Sequence, residues 1–263
     1  MKHLGIVKAD TLVAVINWIG IPLIFLYASS MFLAPWIEGQ SDWIYVQKVW
    51  DRWQTLNTGM LAFISSVIAL NIAKFNSNKQ RERRFIAARA FLPHALSELT
   101  SYFKSSSRLL IEAWERCGDP GLDRSHPLEA DFPELPEEYK ETFSRCIADA
   151  ESDVGDYLAY ILMRLQVHHS RLRELNDSFS EGSRNVPVRE NIKSYTYRLG
   201  ELQALTNRLF DFARGFESFG GSDLDWDDYS NAYSNLDIWL EDIDDLEGFT
   251  RRAIARSKSN SDA

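Results

Sequence analysis

The residues closest in type and spacing to a ligating site are acidic side chains near the C-terminus. Residues 223–247 include ten aspartates and glutamates and no basic residue. Three of them alternate as the first ligands of a calcium-binding loop do: Asp223, Asp225 and Asp227. That loop needs glycine at its sixth position and glutamate at its twelfth, where this chain has Asp228 and Ser234. The segment is therefore a poor match to a calcium loop.

Helix chemistry accounts better for the same acidic residues. Ser222 is predicted to cap a helix, with Asp225 as the acidic half of a capping box. Aspartates in the first turn then favour the positive end of the helix dipole. Four later acidic residues are predicted to lie opposite the apolar stripe of this helix: Asp237, Glu241, Asp244 and Asp245. We interpret them as a solvated face or a docking surface for a basic partner, with a metal site as the third alternative.

The histidines and known motifs give no support for catalysis. His168 and His169 are neighbours on a predicted helix, where side chains point about 100° apart and do not easily bind one ion together. His168 falls on an apolar stripe and is predicted to lie in the core. The chain has no Gly-rich phosphate loop, H-E-x-x-H, C-x-x-C or nucleophile elbow. We therefore predict no enzyme activity, no cofactor and no metal.

Charge and cysteine content restrict the partners further. Of the 29 basic and 38 acidic residues, 20 basic and 33 acidic residues lie in residues 85–263. Such an acidic region is a poor match to nucleic acid, whose phosphates require positive charge. The two cysteines, Cys117 and Cys146, are too few for a disulfide framework and are predicted to be small buried residues.

Two uncharged segments, residues 11–37 and 53–73, indicate membrane spans. A spanning helix needs about 20 predominantly apolar residues, and we predict spans at about 11–34 and 54–73. The first is too long for the apolar region of a secretory signal, about 7–15 residues, and no small-x-small cleavage site follows. We therefore predict a retained anchor. An asparagine inside it, Asn17, can bond across to a neighbouring helix.

The flanking residues predict the orientation. The connection between the spans, residues 35–53, is rich in tryptophan and tyrosine, which favour the membrane interface. Lys2 and Lys8 precede the first span, and a basic anchor follows the second: Lys74, Lys79, Arg81, Arg83 and Arg84. Because cytoplasmic loops carry the excess of basic residues, both termini are predicted to be cytoplasmic. Anionic lipid head groups are the expected partner of the basic anchor, in preference to nucleic acid.

Small residues recur along one side of the second span at gaps of three and four. This small-residue face consists of Thr55, Gly59, Ala62, Ser66, Ala69 and Ala73. Small side chains let helix backbones approach closely in a membrane. The face is predicted to pack either against the first span or against a second copy of the chain.

The remainder of the chain is predicted to be all-α. Apolar stripes indicate four long amphipathic helices: one continuing the second span as a rod kinked at Pro93, one of more than 40 residues over 136–179, one over 192–216, and one over 222–254. They are expected to form an antiparallel, coiled-coil-like bundle. The predicted organisation is a membrane anchor (1–84), an acidic cytoplasmic helical domain (85–258) and a disordered tail (259–263).

The segment "WDRWQTLNTGMLAFISSVIALNIAKF" and the following "RERRFIAARAFLPHALSELTSYF" resemble uncharacterised bacterial inner-membrane proteins. In those proteins a W-Q-T-L-x-x-G-x-L-A start opens a membrane helix and an Arg/Ala-rich helix follows. The resemblance covers residues 50–103 and implies a bacterial cytoplasmic membrane, without an activity. The sequence thus predicts a two-span adaptor, sensor or regulatory subunit that binds an unidentified protein. The alternative is an oligomeric channel or membrane-perturbing effector that uses the small-residue face together with Asn17, Asn57 and Asn71.

Overall fold

The computed structural model describes residues 4–118, 126–180, 183 and 186–261. All regular structure in these residues is helical, as the predicted fold class requires. The chain divides into two compact units, an N-terminal unit (Met1–Gln80) and a C-terminal unit (Arg81–Ala263).

The N-terminal unit contains the two predicted spans. Its elements are α1 (Leu4–Ala28), a π-helical segment (Ser29–Leu33), α2 (Ala34–Glu38), α3 (Trp43–Arg52) and α4 (Gln54–Arg89), the last of which continues into the next unit. Two helical stretches are long and apolar enough to cross a membrane, Val13–Glu38 and Gln54–Gly118, and only 6% of the most apolar window of each is buried. The prediction of two candidate spans is confirmed at this level.

The connection between the spans is more ordered than the predicted loop. Asp42 caps α3 by accepting a hydrogen bond from the Ile44 amide at 3.0 Å. The Trp50 indole of α3 donates to the carbonyl oxygen of Met31 at 2.9 Å, inside the π-helical segment. The Trp50 side chain therefore holds α3 against the end of the first candidate span.

The predicted rod with a kink at Pro93 is wrong in one respect. Helix α4 runs without interruption to Arg89, well beyond the apolar segment, and the chain then turns at Ala90 and Phe91. Helix α5 (Leu92–Gly118) starts anew, with Pro93 in its first turn. Proline is tolerated there because its missing N–H has no partner within the helix. Pro93 thus begins a helix instead of bending one.

The predicted helix of more than 40 residues is two helices, α6 (Tyr139–Asp149) and α7 (Ser152–Ser178). Ala150 and Glu151 between them have extended backbones, with ψ of 165° and 157°. The apolar spacing of three and four residues continues across this break. The apolar periodicity of the sequence therefore gives no sign of this break.

Helix α8 (Arg189–Arg214) confirms the third predicted helix. It ends at Gly215, whose φ of 79° lies in the left-handed region that glycine adopts readily. The Phe216 amide donates to the Asp211 carbonyl at 2.9 Å, which completes a Schellman-type end. Phe216 lies beyond this end, so it is 74% exposed and does not belong to the buried stripe.

The fourth predicted helix is also divided, into α9 (Trp226–Asn235) and α10 (Leu246–Ser261). An acidic turn, residues 236–245, separates them, with left-handed backbones at Asp237 (φ 56°) and Asp245 (φ 58°). The predicted cap at Ser222 is wrong, because Asp225 caps α9 in a capping box with Asp228. Helix α10 extends to Ser261, into the segment predicted to be a disordered tail.

Helix α8 has the largest buried side of the C-terminal unit, and it packs against α5, α7 and α9. Large side chains from every part of the unit are fully buried, among them Phe103, Tyr139, Phe143, Phe179 and Tyr233. Burying one such side chain contributes about 1.5–3 kcal/mol. Both cysteines are buried, as predicted.

Candidate functional sites

Polar side chains of α1 and α4 meet between the two candidate spans. The Asn17 and Asn71 amides exchange two hydrogen bonds, each of 2.9 Å. Near the other end of α1, the Tyr27 hydroxyl donates to the Asn57 amide oxygen at 2.6 Å. In lipid such pairs satisfy groups that have no water to bond with. The polar residues of the second span are thus partly explained by its pairing with the first, as predicted for Asn17.

The small-residue face does not contribute to this pairing. The side of α4 that packs on α1 holds Asn57, Met60, Ile64, Val67 and Asn71, which are buried or half-buried. All six small residues are exposed, and a Cβ placed on Gly59 would meet nothing within 4 Å. At about 100° per residue, the two sides lie about 150° apart. The prediction that this face packs against the first span is therefore wrong. Packing against a second copy of the chain stays a prediction.

The basic anchor lies entirely on α4 beyond the apolar segment. Its five residues, Lys74, Lys79, Arg81, Arg83 and Arg84, share one continuous helix, and all except the half-buried Lys74 are exposed. Arg84 pairs with Asp149 at 3.4 Å, and its side chain is still 65% exposed. Such exposed charges can reach anionic head groups.

The four predicted docking residues lie in the acidic turn and not on a helix face. Three of them pair with basic side chains: Asp237 with Lys104 at 3.6 Å, Asp244 with Arg189 at 3.4 Å, and Asp245 with Arg252 at 2.6 Å. The hydrogen bond from Arg252 lowers the pKa of Asp245. Glu241 is exposed. The turn is thus less negative than its sequence indicates.

Trp239, in the middle of the acidic turn, is a candidate residue that the sequence reasoning missed. Its indole is 72% exposed, although Leu236 and Ile238 beside it are buried. The Leu236 carbonyl accepts a hydrogen bond from the buried Ser107 hydroxyl at 2.8 Å, which fixes the turn to α5. A large aromatic side chain is therefore held out to solvent on an anchored turn. In the sequence, Trp239 could have been recognised as a tryptophan that does not lie on the apolar stripe of the predicted fourth helix.

A second feature missed from the sequence is the Glu201 cluster on α7 and α8. Glu201 is 7% exposed, and its carboxylate accepts hydrogen bonds from Tyr160 (3.0 Å), Arg164 (3.1 Å) and Arg198 (3.0 Å). Burial is the main cause that raises the pKa of the Tyr160 hydroxyl, and the charge of Glu201 is the second. Burial opposes the charge of Arg164, yet the carboxylate and Tyr160 raise its pKa. Hydrogen bonds to the Glu201 carboxylate thus hold the side chains of Tyr160, Arg164 and Arg198 together.

His168 lies in the core, as predicted. It is 4% exposed, and its Nε2 atom has no hydrogen-bond partner among the described residues. Burial lowers the pKa of His168 to about 3. The neighbouring His169 bonds to the Tyr102 hydroxyl at 3.0 Å, and the Tyr102 ring also packs against the His168 imidazole. In the part of the chain that the structure describes, no three His, Cys, Asp or Glu side chains are grouped to hold a metal ion.

Together these features define an all-α protein with two candidate membrane helices and a second, amphipathic helical unit. No protein-family model, curated protein or solved structure matches the chain.

Proposed function

We propose that this chain is a two-span protein of the bacterial inner membrane whose C-terminal unit lies in the cytoplasm and binds another protein. The observation that carries the proposal is Trp239, 72% exposed on the anchored acidic turn. Tryptophan is enriched among residues that dominate binding energy. Glu241 and Asp242, which lie exposed in the same turn, favour a partner with a basic surface and would accelerate its association.

The membrane assignment is supported by the exposed side of the N-terminal unit. Large apolar side chains face outwards along both helices, including Trp18 (82% exposed), Phe25 (74%) and Leu61 (63%). Apolar surface of this extent needs lipid or another protein to cover it. Basic residues at the ends of the spans favour cytoplasmic termini.

A photo-crosslinking amino acid at position 239 tests the binding proposal in intact cells. We expect a discrete adduct from this position, weakened by Glu241→Gln and by raised salt in isolated membranes, because the steering is electrostatic. The matched control position is Phe216, which is 74% exposed in the same unit but outside the acidic turn. No adduct at position 239, or the same adducts at both positions, would contradict the proposal.

A second proposal concerns association within the membrane. The exposed small-residue face fits a homo-oligomer, because close backbone approach is what small residues permit. Engineered cysteine pairs at position 62, in a chain whose own cysteines are replaced by alanine, should cross-link between copies. Gly59→Leu with Ser66→Leu should abolish the cross-link. The control, Leu61→Ile on the exposed apolar side, should leave it unchanged.

The alternative function, an oligomeric channel, receives less support from the same geometry. Asn17, Asn57 and Asn71, which that hypothesis invokes, bond within the chain and are not on the small-residue face. Neither apolar segment contains an ionisable residue of the kind that marks an ion pathway. Overexpression of the unaltered protein should therefore cause no dye leakage. Leakage that Gly59→Leu suppresses would favour the channel instead.

A further inference from the structure

The C-terminal unit contains a cavity of about 660 Å³ between α7, α8, α10 and the segment before α9. Sites for small molecules in proteins measure about 300–1,000 Å³, so the cavity is large enough for a ligand. One wall is the Glu201 cluster. Three apolar side chains of α10 also line the cavity: Phe249, Ala253 and Ile254, all half-buried.

The charge of this cavity is opposite to that of its surroundings. Four basic side chains line it, Arg164, Arg198, Arg256 and Lys258, against two acidic ones, Glu201 and Asp223. Residues 85–263 as a whole carry 33 acidic and 20 basic residues. A local positive excess in an acidic unit favours an anion over a cation or a neutral molecule.

The two guanidiniums beside Glu201 line the cavity and are held in place by that carboxylate. Arg164 donates through Nε to the Tyr160 hydroxyl at 2.9 Å and through Nη2 to Glu201 at 3.1 Å. Arg198 donates through Nη1 to the other carboxylate oxygen at 3.0 Å. A guanidinium has five N–H donors, so each retains donors beyond these bonds. Glu201 thereby fixes both groups before any ligand arrives, which reduces the entropy lost on binding.

We propose that the cavity binds a small organic anion, with its carboxylate or phosphate group against the two guanidiniums and its apolar body against α10. The protein would then be a sensor in addition to an anchor. Helix α10 directly follows the acidic turn, so the ligand and the protein-binding surface would share one segment of chain. The inference does not depend on the protein partner, since the two surfaces are tested by separate variants.

Three aromatic probes of nearly equal size test the proposal on the full chain in zwitterionic lipid nanodiscs. Phenyl phosphate and phenylacetate carry the two alternative head groups, and phenylacetamide is the neutral isostere. Saturation-transfer NMR at constant ionic strength gives the affinity of each. We expect at least one anion to bind about tenfold or more tightly than the amide, because hydrogen bonds to charged groups are the strong ones. The comparison of the two anions shows which head group is preferred.

Variants locate the binding within the chain. Arg198→Gln should weaken the anion about tenfold or more, whereas Arg145→Gln, an exposed arginine on α6, should not change it. Ala253→Phe should fill the apolar side and abolish saturable binding without lowering the thermal midpoint. The Ala253→Phe variant therefore tests the proposal even if Arg198→Gln unfolds the C-terminal unit.

Several results would overturn the proposal. One is that neither anion saturates the protein below about 10 mM, which is a weak affinity limit for so small a probe. Another is that the neutral amide binds as tightly as the anions. Equal loss in Arg145→Gln, or anion binding that persists in a folded Ala253→Phe protein, would also refute it.

Discussion

The buried imidazole of His168 predicts that the C-terminal unit loses stability as pH falls. Burial lowers the pKa of this histidine from 6.5 to about 3 in the folded chain. Above pH 6.5 the side chain is neutral in both states and contributes no pH dependence. Below it the unfolded chain takes up a proton that the folded chain does not, so unfolding becomes easier.

The magnitude follows from the two pKa values. At pH 5 the unfolded imidazole is about 1.5 pH units below its pKa, and the folded imidazole is still neutral. One unit corresponds to about 1.4 kcal/mol, so the loss between pH 8 and pH 5 is about 2 kcal/mol. His168→Leu should remove this loss. Leucine is the chosen replacement because the Nε2 atom of His168 has no hydrogen-bond partner among the described residues. The substitution therefore breaks no hydrogen bond of that atom.

Cysteine labelling measures the effect in the full chain. Both cysteines, Cys117 and Cys146, are buried in the C-terminal unit, and the chain has no others. Their reaction with a disulfide reagent in increasing denaturant reports the opening of this unit alone, after normalisation to the unfolded chain at each pH. His94→Leu is the control, because that imidazole is 70% exposed. Identical pH dependence in the unaltered chain and His168→Leu would refute the reasoning.

Three further predictions concern packing, the spans and the acidic turn. Gly200→Ala should destabilise the C-terminal unit by about 1–3 kcal/mol, because the new Cβ would lie 2.5 Å from the buried Tyr233 ring. Gly155→Ala is the matched control. Its new Cβ would have its closest contact at 3.7 Å, so it should stabilise α7 by up to about 1 kcal/mol. The same cysteine assay measures both. Asn71→Leu should lower the stability of the full chain by about 1 kcal/mol, measured by detergent-induced unfolding, and an unchanged midpoint would count against the amide pair. Trp239→Ala should leave cysteine protection within about 0.5 kcal/mol while reducing capture of the partner, so a large stability loss would assign it a packing role.

Local sequence patterns were sufficient where one element buries one continuous stripe. The uncharged runs gave both candidate spans, and the spacing of Ile192, Leu199 and Leu209 gave α8. The same patterns failed at Ala150 and at the acidic turn. In both places the apolar spacing persists while the backbone leaves the helix, because the segments on either side bury residues in the same core.

Contacts between distant segments were beyond the sequence reasoning. Glu201 and Arg164 are 37 residues apart, and each alone resembles an ordinary surface charge of a helix. The small residues run along one side of α4, but whether that side is covered within the chain depends on which side of α4 pairs with α1. That choice depends on where Asn57, Val67 and Asn71 lie on α4, and no sequence signal sets Val67 apart from the other apolar residues of the span.

Reporter fusions test most directly the claim that two spans leave both termini in the cytoplasm. We predict that a fluorescent protein that folds only in the cytoplasm is bright at the C-terminus, while an export-dependent phosphatase is inactive there and active when inserted after Gly39. An active phosphatase at the C-terminus together with a dark fluorescent fusion would contradict the two-span topology and the cytoplasmic location of the C-terminal unit.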